Sequence, residues 1–333
     1  KYKKKTYLFS HCCAIIKIGG NMTGSSKIFK NLDEQIQILL DKGLVINDVD
    51  KTKIILLREN YFFISGYRQI FMKDKKLNQF IEGTTFEELY AMFLFDRKIR
   101  NIFFKFILVI ENNIKSILSY QLSKKYGFKD KDYLNPKNFT IDSMKTRQVR
   151  DIINKMKRQI RVNGRQHTAT YHYMANYGYI PMWILVKVLS FGIISELYGI
   201  LKNEDQIKIA EMYNLDIETL SIYLNILSNY RNICAHEEVL FEHRTQRAIP
   251  DTKFHRYLQI EKIEDEYKYG KSDMYAVVII MRQLLSDVEF RDVVNEISYE
   301  VDVLDGKIDT VTIKSILNTC GFPDNWKSIL DNI

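Results

Sequence analysis

The sequence predicts an all-α protein. Glycine and proline, which interrupt helices, number only 14 and 4 among the 333 residues. Hydrophobic residues make up 46% of the chain, enough for a sizeable core, and they recur mainly at helical spacing. Residues 297–304 also permit short strands, but no segment indicates an extended sheet.

The first helices are predicted between residues 32 and 71. Leucine and isoleucine recur at helical spacing over residues 32–43, and Gly43 is typical of a helix C-terminus. A second helix is predicted over residues 50–71, with a break near Ser65-Gly66 as one alternative. A polar loop is expected over residues 73–78.

The longest apolar pattern of the chain begins after residue 83. Thr84 or Thr85 can cap this segment, because Glu87 or Glu88 follows three residues later. The helical pattern then continues for about 40 residues, to Gly127. It predicts one very long helix or two collinear ones.

Further helices are predicted towards the C-terminus. Pro136 begins a new segment, and Pro181 suits the first turn of a helix that continues to residue 201. Residues 205–213 predict one helix and residues 216–244 one or two more. The last group, over about 272–333, is expected to form several short helices.

The strongly basic element of the chain is an amphipathic helix within residues 141–165. Its apolar stripe consists of Val149, Ile152, Ile153, Met156 and Ile160. The other faces carry the eight cations Lys145, Arg147, Arg150, Lys155, Lys157, Arg158, Arg161 and Arg165. The acids are Asp142 and Asp151 alone. Such a row can follow an RNA backbone, and the alternative is a solvated helix face.

No apolar run reaches the roughly 18 residues that a membrane span requires, so we expect a soluble protein without membrane contact. Outside the first 21 residues, the cysteines are Cys234 and Cys320. Their spacing predicts neither a metal site nor a disulfide framework and is typical of a reducing cytoplasm. Cys234 is expected to be packed rather than nucleophilic.

The first 21 residues have the composition of a non-native leader. They contain five lysines and no acid, and Lys17-Ile18-Gly19-Gly20 can be encoded by AAA-ATA-GGA-GGA, which contains a bacterial ribosome-binding sequence. We therefore expect translation to start at Met22. The leader supplies five of the eight net positive charges, which leaves +3 for the rest. The net charge of the whole chain then does not predict nucleic-acid binding. Any such prediction has to rest on a local cluster of charges.

Residues 228–238 read SNYRNICAHEE and pair an arginine with a histidine. Cleavage of RNA without a metal needs a base for the ribose 2′-hydroxyl and a cation for the phosphate. His236 suits the first role and Arg231 the second, while Asn232 adds an amide. Five residues span about 140° around a helix, so the two side chains diverge. Either Arg231 starts a helix capped by Asn232, or two copies share the site.

Spacing alone makes this pair more often structural than catalytic. However, the segment RNICAHEE resembles the RNxxxH signature of the HEPN superfamily, which consists mostly of RNA-cleaving toxins and defence nucleases. From about residue 30, the chain resembles the Abi-like abortive-infection proteins, the AbiD and AbiF group. The matching segments occur in the family's order: EQIQILLDKGLVI, ENYFFISGYRQIF, FEELYAMFLFDRKIRNIFFKFILVIENNIKSIL, YGYIPMWILVKVLSFGIISELYGIL, LSNYRNICAH and GFPDNW.

The resemblance implies a HEPN-type four-helix core with helical extensions. We expect an N-terminal helical region at 22–82, the core at 83–248 with its basic insertion at about 140–166, and a C-terminal helical region at 249–333. It also implies a homodimer, RNA as substrate, a small non-coding RNA as a further partner, and bacterial phage defence or growth arrest.

For the site, the resemblance implies that Arg231 and His236 are catalytic and that Asn232 supports them, with neither metal nor cofactor. Glu111 or Asn112 is expected to face the pair. The chain departs from the family after the motif, where EEVLFEHR replaces an aromatic, tryptophan-bearing stretch. Two alternatives remain open: a non-catalytic RNA-binding protein and a protein-interaction component of a defence or toxin–antitoxin system.

Overall fold

The computed structural model of the protein describes residues 28–74 and 76–332. The expected leader, residues 1–21, lies outside these described residues. Helices dominate the described ranges, and the strands there form two short antiparallel hairpins, which confirms the all-α prediction. No helix in the same ranges has the length and hydropathy needed to cross a bilayer. The HEPN-type four-helix core and the three predicted regions stay predictions.

The elements follow one another with short connections. The α-helices are α1 Leu32–Asp41, α2 Val49–Glu59, α3 Tyr61–Ser65, α4 Phe86–Tyr126, α5 Asp130–Tyr133, α6 Thr146–Asn163, α7 Thr168–Tyr177, α8 Met182–Val188, α9 Phe191–Gly199, α10 Asn203–Glu211, α11 Ile217–Ala235, α12 Lys253–Tyr257, α13 Met274–Leu284, α14 Asp287–Asp305 and α15 Ile313–Thr319. The strands are β1 Met72–Asp74, β2 Gln79–Phe80, β3 Lys262–Ile263 and β4 Glu266–Tyr267. Short 3₁₀ helices cover Arg68–Phe71, Pro136–Asn138, Ser143–Lys145 and Trp326–Asn332.

The chain divides into two compact units. The first comprises the described residues up to Phe93 together with Lys307–Val311. The second comprises Leu94–Gly306 and Thr312–Ile333, as far as the latter is described. The helix predicted after residue 83 is a single helix of 41 residues, α4, and its first residues up to Phe93 belong to the first unit.

In the first unit, α1 packs against α2 and ends as the sequence predicts. Gly43 follows the last turn with a positive φ, and the amide of Leu44 donates to the carbonyl oxygen of Leu39 at 3.1 Å. The helix predicted over residues 50–71 is broken twice, at Asn60 with φ of 66° and after Ser65. The predicted loop at 73–78 is instead partly the β1–β2 hairpin.

Glu88 attaches the segment Lys307–Val311 to the first unit. It forms the predicted capping box with Thr85, whose amide donates to Oε2 of Glu88 at 2.9 Å. Its Oε1 accepts from the amides of Asp309 and Thr310 at 2.9 and 2.8 Å. Burial alone would raise the pKa of this carboxyl, but the backbone donors outweigh burial and lower the pKa. The ionised carboxylate is therefore the stable form.

In the second unit, α11 packs against α9, α10 and α13, and α6 packs against α8 and α9. The five apolar residues predicted for the buried stripe of α6 are all buried. The helix predicted from Pro181 is wrong in one respect: it ends at Val188, and Ser190 caps the separate helix α9 by accepting from the amide of Ile193.

The strand alternative at residues 297–304 is wrong, because these residues lie within α14. Ile297, Val301 and Leu304 are buried and follow each other at helical spacing, whereas the intervening Tyr299 is exposed. The burial of one helical face therefore decides the structure of this segment.

Asp273 caps α13 and fixes the C-terminal segment. Its Oδ1 accepts from the amides of Ala276 and Gly270 at 3.0 and 3.1 Å. Gly321 of the GFPDNW segment has φ of 90°, and a Cβ there would lie 2.1 Å from Cγ of Asp273, so only glycine fits. Burial raises the pKa of Asp273 to about 6 despite these hydrogen bonds.

We predict that Asp273→Asn removes the loss of stability that ionisation of this buried carboxyl causes as pH rises. The carboxyl of Asp273 has a pKa of about 6 in the folded chain and of about 3.9 when unfolded. Its contribution to the free energy of unfolding is present below pH 4 and is lost as pH rises through 6. Relative to wild type, the variant should therefore gain about 2 kcal/mol between pH 4 and pH 7, measured by urea unfolding.

Asp216, which caps α11, provides the matched control. The side-chain hydrogen bond from Thr219 lowers the pKa of Asp216, so its stabilisation is lost as pH falls. The stability of Asp216→Asn relative to wild type should therefore stay nearly constant between pH 4 and pH 7 and should rise only as pH falls below about 4, the direction opposite to that of Asp273→Asn. A difference between Asp273→Asn and wild type that stays constant from pH 4 to pH 7 would contradict the buried titration.

Candidate functional site

The arginine and the histidine of the motif lie at the C-terminal end of α11. The helix begins at Ile217, where Asp216 accepts from the amide of Thr219 at 2.8 Å. His236 is its C-terminal cap, and its amide donates to the carbonyl oxygen of Asn232 at 3.0 Å. The alternative that Arg231 starts a helix capped by Asn232 is therefore wrong.

The motif presents two faces of α11. Asn232 and His236 are four residues apart, so they lie on one face, and both are exposed. Asn225 and Asn229 extend this exposed polar face towards the N-terminus. Arg231 leaves the helix about 140° from His236. The structure thus brings Asn232 and His236 together on one chain, and it places Arg231 on a neighbouring face of the same helix end.

Arg231 is held by α4. Its Nε lies 3.9 Å from Oε2 of Glu111, and its guanidinium lies 5.6 Å from the ring centroid of Phe104. Glu111 is buried, and its Oε1 lies 2.6 Å from Nζ of Lys115. The expectation that Glu111 or Asn112 faces the motif is confirmed for Glu111, whereas Asn112 is exposed.

The contact with Glu111 uses only one edge of the Arg231 guanidinium. The side chain retains 32% of its accessible surface, and its terminal Nη atoms form no ion pair with any residue in the described ranges. A planar guanidinium can pair with an oxyanion through these atoms. Glu111 therefore orients a cation that can still bind a second anion.

A buried ion pair on α4 anchors the segment that follows His236. Asp96 and Arg100 form an i,i+4 pair and are 0% and 2% exposed. Arg100 donates to the carbonyl oxygen of Glu238 at 3.2 Å, and Oδ2 of Asp96 accepts from the amide of Leu240 at 3.1 Å. These two hydrogen bonds hold the backbone of Glu238 and Leu240, and with it the direction in which the chain leaves α11, against α4.

The exit from α11 is also backbone-strained. Glu237 has φ of 55°, in the left-handed region that non-glycine residues seldom adopt, and the amide of Glu238 donates to the carbonyl oxygen of Ile233 at 3.2 Å. Arg97 lies 3.7 Å from the Glu237 carboxylate. Sequence reasoning missed Asp96, Arg97 and Arg100, although charges four apart within an apolar helical run were the available signal.

The other side chains near the motif have structural roles. Cys234 is buried, which raises the pKa of its thiol to about 12 and opposes nucleophilic use. His243 forms a 2.9 Å hydrogen bond with Oδ1 of Asn229, and its ring contacts Tyr230 edge to face. Within residues 28–74 and 76–332, no group of three or more histidine, cysteine, aspartate or glutamate side chains is placed to hold a metal ion.

The eight cations predicted to bind RNA divide into two sets. Lys145 donates to the carbonyl oxygen of Gly199 at 3.0 Å, Arg147 lies 3.8 Å from Asp151, and Lys155 pairs with Glu196. The other five are exposed and have no ion pair in the described part of the chain. These five are Arg150, Lys157, Arg158, Arg161 and Arg165.

Helix geometry aligns most of these five cations. Arg150, Lys157 and Arg161 follow each other at intervals of seven and four residues, so they share one face of α6, and Arg158 borders it. This face lies beside the buried stripe, about 100° around the helix axis from its centre, and Arg158 lies on the side opposite the stripe. Binding of RNA there stays a prediction.

The model of one protein family, described as Abi-like protein, matches residues 54–242, more than half of the chain. The matched range contains the whole of α4, the basic helix α6 and the motif at the end of α11. No curated protein and no solved structure matches the chain.

We predict that Asp96→Asn lowers the free energy of unfolding by about 3–5 kcal/mol, because it leaves the buried guanidinium of Arg100 without its charged partner. Urea unfolding measures this loss. The matched control is Glu296→Gln, which breaks the exposed pair that Lys105 of α4 forms with Glu296 at 2.6 Å. That change should cost less than about 1 kcal/mol. Equal losses in the two variants would contradict the anchoring role of Asp96.

Proposed function

This chain belongs to the Abi-like protein family, and from that membership we propose that it is a metal-independent HEPN endoribonuclease of a bacterial abortive-infection system. The family itself suggests an abortive-infection protein. The finer assignment, to the AbiD and AbiF group and to RNA cleavage, is supported by the motif and its surroundings.

One observation carries the proposal. A guanidinium whose terminal nitrogens form no ion pair with the residues that the structure describes lies at the end of the same helix as an exposed imidazole, and buried groups of α4 hold both the helix end and the arginine. Arg231 and His236 supply the cation and the base that RNA cleavage requires. Asn232, one turn before His236 on the same face, can donate its amide to a phosphate oxygen.

The proposed reaction is attack of a ribose 2′-hydroxyl on the adjacent phosphorus. His236 accepts the 2′-hydroxyl proton as the new P–O2′ bond forms, and the P–O5′ bond breaks. The products are a 2′,3′-cyclic phosphate end and a 5′-hydroxyl end. The departing 5′-oxygen takes a proton from water, and the proton held by His236 returns to solvent, so no net proton is consumed. Arg231 binds the phosphoryl oxygens, on which negative charge accumulates in the transition state. Removal of either side chain should therefore affect turnover more than folding.

We propose that two copies of the chain share this site. Arg231 and His236 diverge by about 140° on one helix, so one chain does not point both side chains at a single phosphate. A two-fold axis near the exposed end of α11 would place Arg231 of one copy opposite His236 of the other. The exposed face of Asn225, Asn229 and Asn232 can form polar contacts in such a dimer.

A second candidate function is RNA binding without cleavage, for instance of a small non-coding RNA. The observation that favours it over cleavage is the acidic pair Glu237 and Glu238 directly after His236, which repels a scissile phosphate from the motif but leaves the exposed cations of α6 free to bind RNA. Arg97 offsets the charge of Glu237 in part. A protein-interaction role in a defence system would instead leave RNA both unbound and uncut.

We predict that the purified protein cleaves RNA in the presence of EDTA and that His236→Ala and Arg231→Ala abolish cleavage. Each loss should exceed about 100-fold, in line with the contribution of a general base or of a transition-state cation. The measurement is single-turnover cleavage of an end-labelled RNA. The new ends should be 5′-hydroxyl and 2′,3′-cyclic phosphate.

His243→Ala is the matched control, because it removes a histidine of the same segment whose ring contacts Tyr230 and forms a hydrogen bond with Asn229. It should retain cleavage. Cleavage that survives in folded His236→Ala protein would contradict the proposed mechanism. Folded wild-type protein that binds RNA but never cuts it would favour the second candidate function.

A further inference from the structure

Six aromatic rings of the second unit lie next to one another in an unbroken row, and all of them precede the Arg231–His236 motif in sequence by more than 45 residues. Adjacent ring centroids along the series lie 5.5–6.3 Å apart. The members of this ring series are Phe128, His172, Tyr173, Tyr177, Tyr179 and Trp183. His172, Tyr173 and Tyr177 lie on α7 and Trp183 on α8, whereas Phe128 follows the end of α4 and Tyr179 lies in the turn between α7 and α8.

The fold holds the ring series in place. Gly178 ends α7 with φ of 72°, a conformation that other residues rarely adopt, and this turn brings the rings of Tyr177 and Tyr179 within 6.3 Å. The chain then enters the core at Ile180, whose carbonyl oxygen accepts from the hydroxyl of Tyr133 at 2.7 Å. The turn that carries Tyr177 and Tyr179 is therefore fixed by Gly178 and by the hydrogen bond from Tyr133 to Ile180.

The ring series is largely open to solvent. Tyr177 is 56% exposed, Trp183 43% and Phe128 41%. Single exposed aromatic residues are ordinary, but a contiguous exposed series indicates a binding surface. Core packing does not explain the exposed rings, because on α8 the neighbours Met182 and Leu185 are buried whereas the ring of Trp183 is not.

The charge around the ring series favours a polyanion. No acidic residue occurs between Asp151 and Glu196, a stretch that contains all the rings except Phe128. Nζ of Lys129 lies 5.3 Å from the ring centroid of Tyr179, and the basic helix α6 packs against α7. Exposed rings beside cations are the combination that binds unpaired bases and their phosphates.

We propose that the ring series binds single-stranded RNA by stacking on its bases, while the exposed cations of α6 contact its phosphates. This proposal rests on the proposed function only in taking RNA as the ligand. It gives the protein a preference for unpaired over duplex RNA, because bases in a duplex do not expose their faces. It also places RNA recognition on residues that take no part in cleavage.

The test uses a fluorescent 12-nucleotide RNA of mixed sequence with 2′-O-methyl riboses, which lacks the 2′-hydroxyl needed for cleavage. Fluorescence anisotropy measures its dissociation constant with the full-length protein. Tyr177→Ala and Trp183→Ala should each weaken binding about 5- to 100-fold. Tyr177→Phe, which keeps the ring, should bind like wild type. A 12-base-pair duplex of the same sequence should bind more weakly than the single strand.

Tyr299→Ala is the matched control, because Tyr299 is an equally open tyrosine, 66% exposed, on α14 beside Glu296 and Glu300. It should not change binding, and thermal unfolding should show all variants folded. Unchanged binding in folded Tyr177→Ala and Trp183→Ala overturns the proposal. So does a change in oligomeric state without a change in RNA binding, which would assign the rings to a protein interface.

Failure of this proposal and failure of the proposed function give different results. Loss of the ring effect leaves cleavage by Arg231 and His236 untouched. Absence of cleavage leaves the binding measurement intact, because the 2′-O-methyl RNA cannot be cut.

Discussion

The candidate site depends on the buried ion pair between Asp96 and Arg100. Both residues belong to the long helix α4. Arg100 donates to the carbonyl oxygen of Glu238 and Asp96 accepts from the amide of Leu240, two backbone groups just after His236. Further hydrogen-bond partners stabilise a charge pair in an apolar interior. The carbonyl oxygen of Glu238 and the amide of Leu240 supply two such partners, so the exit of the chain from α11 and the pair of charges stabilise each other.

The same helix positions the cation of the site. Glu111 lies about four turns after Asp96 on α4, and it approaches Arg231 while also pairing with Lys115. One rigid helix thus holds both the arginine and the segment after the histidine. Preorganisation of this kind matters for catalysis, because side chains that are already oriented lose little entropy when the substrate binds.

Much of the fold follows from local patterns. The buried stripe of α6 and the capping box of Thr85 and Glu88 were both predictable, because residues three or four apart decide them. The breaks at Asn60 and Ser190 were not, since hydrophobic spacing continues across them. The partners of Asp96 lie about 140 residues away in sequence, a separation that no local pattern reveals.

The central claim is that two chains share one site, and a mixed dimer tests it most directly. Chains carrying Arg231→Ala and His236→Ala are co-expressed with different affinity tags, and dimers that contain one of each are purified. If the site combines Arg231 of one copy with His236 of the other, the mixed dimer has one intact site of two and cleaves RNA at about half the wild-type rate. An inactive mixed dimer beside an active wild-type protein would contradict the shared site.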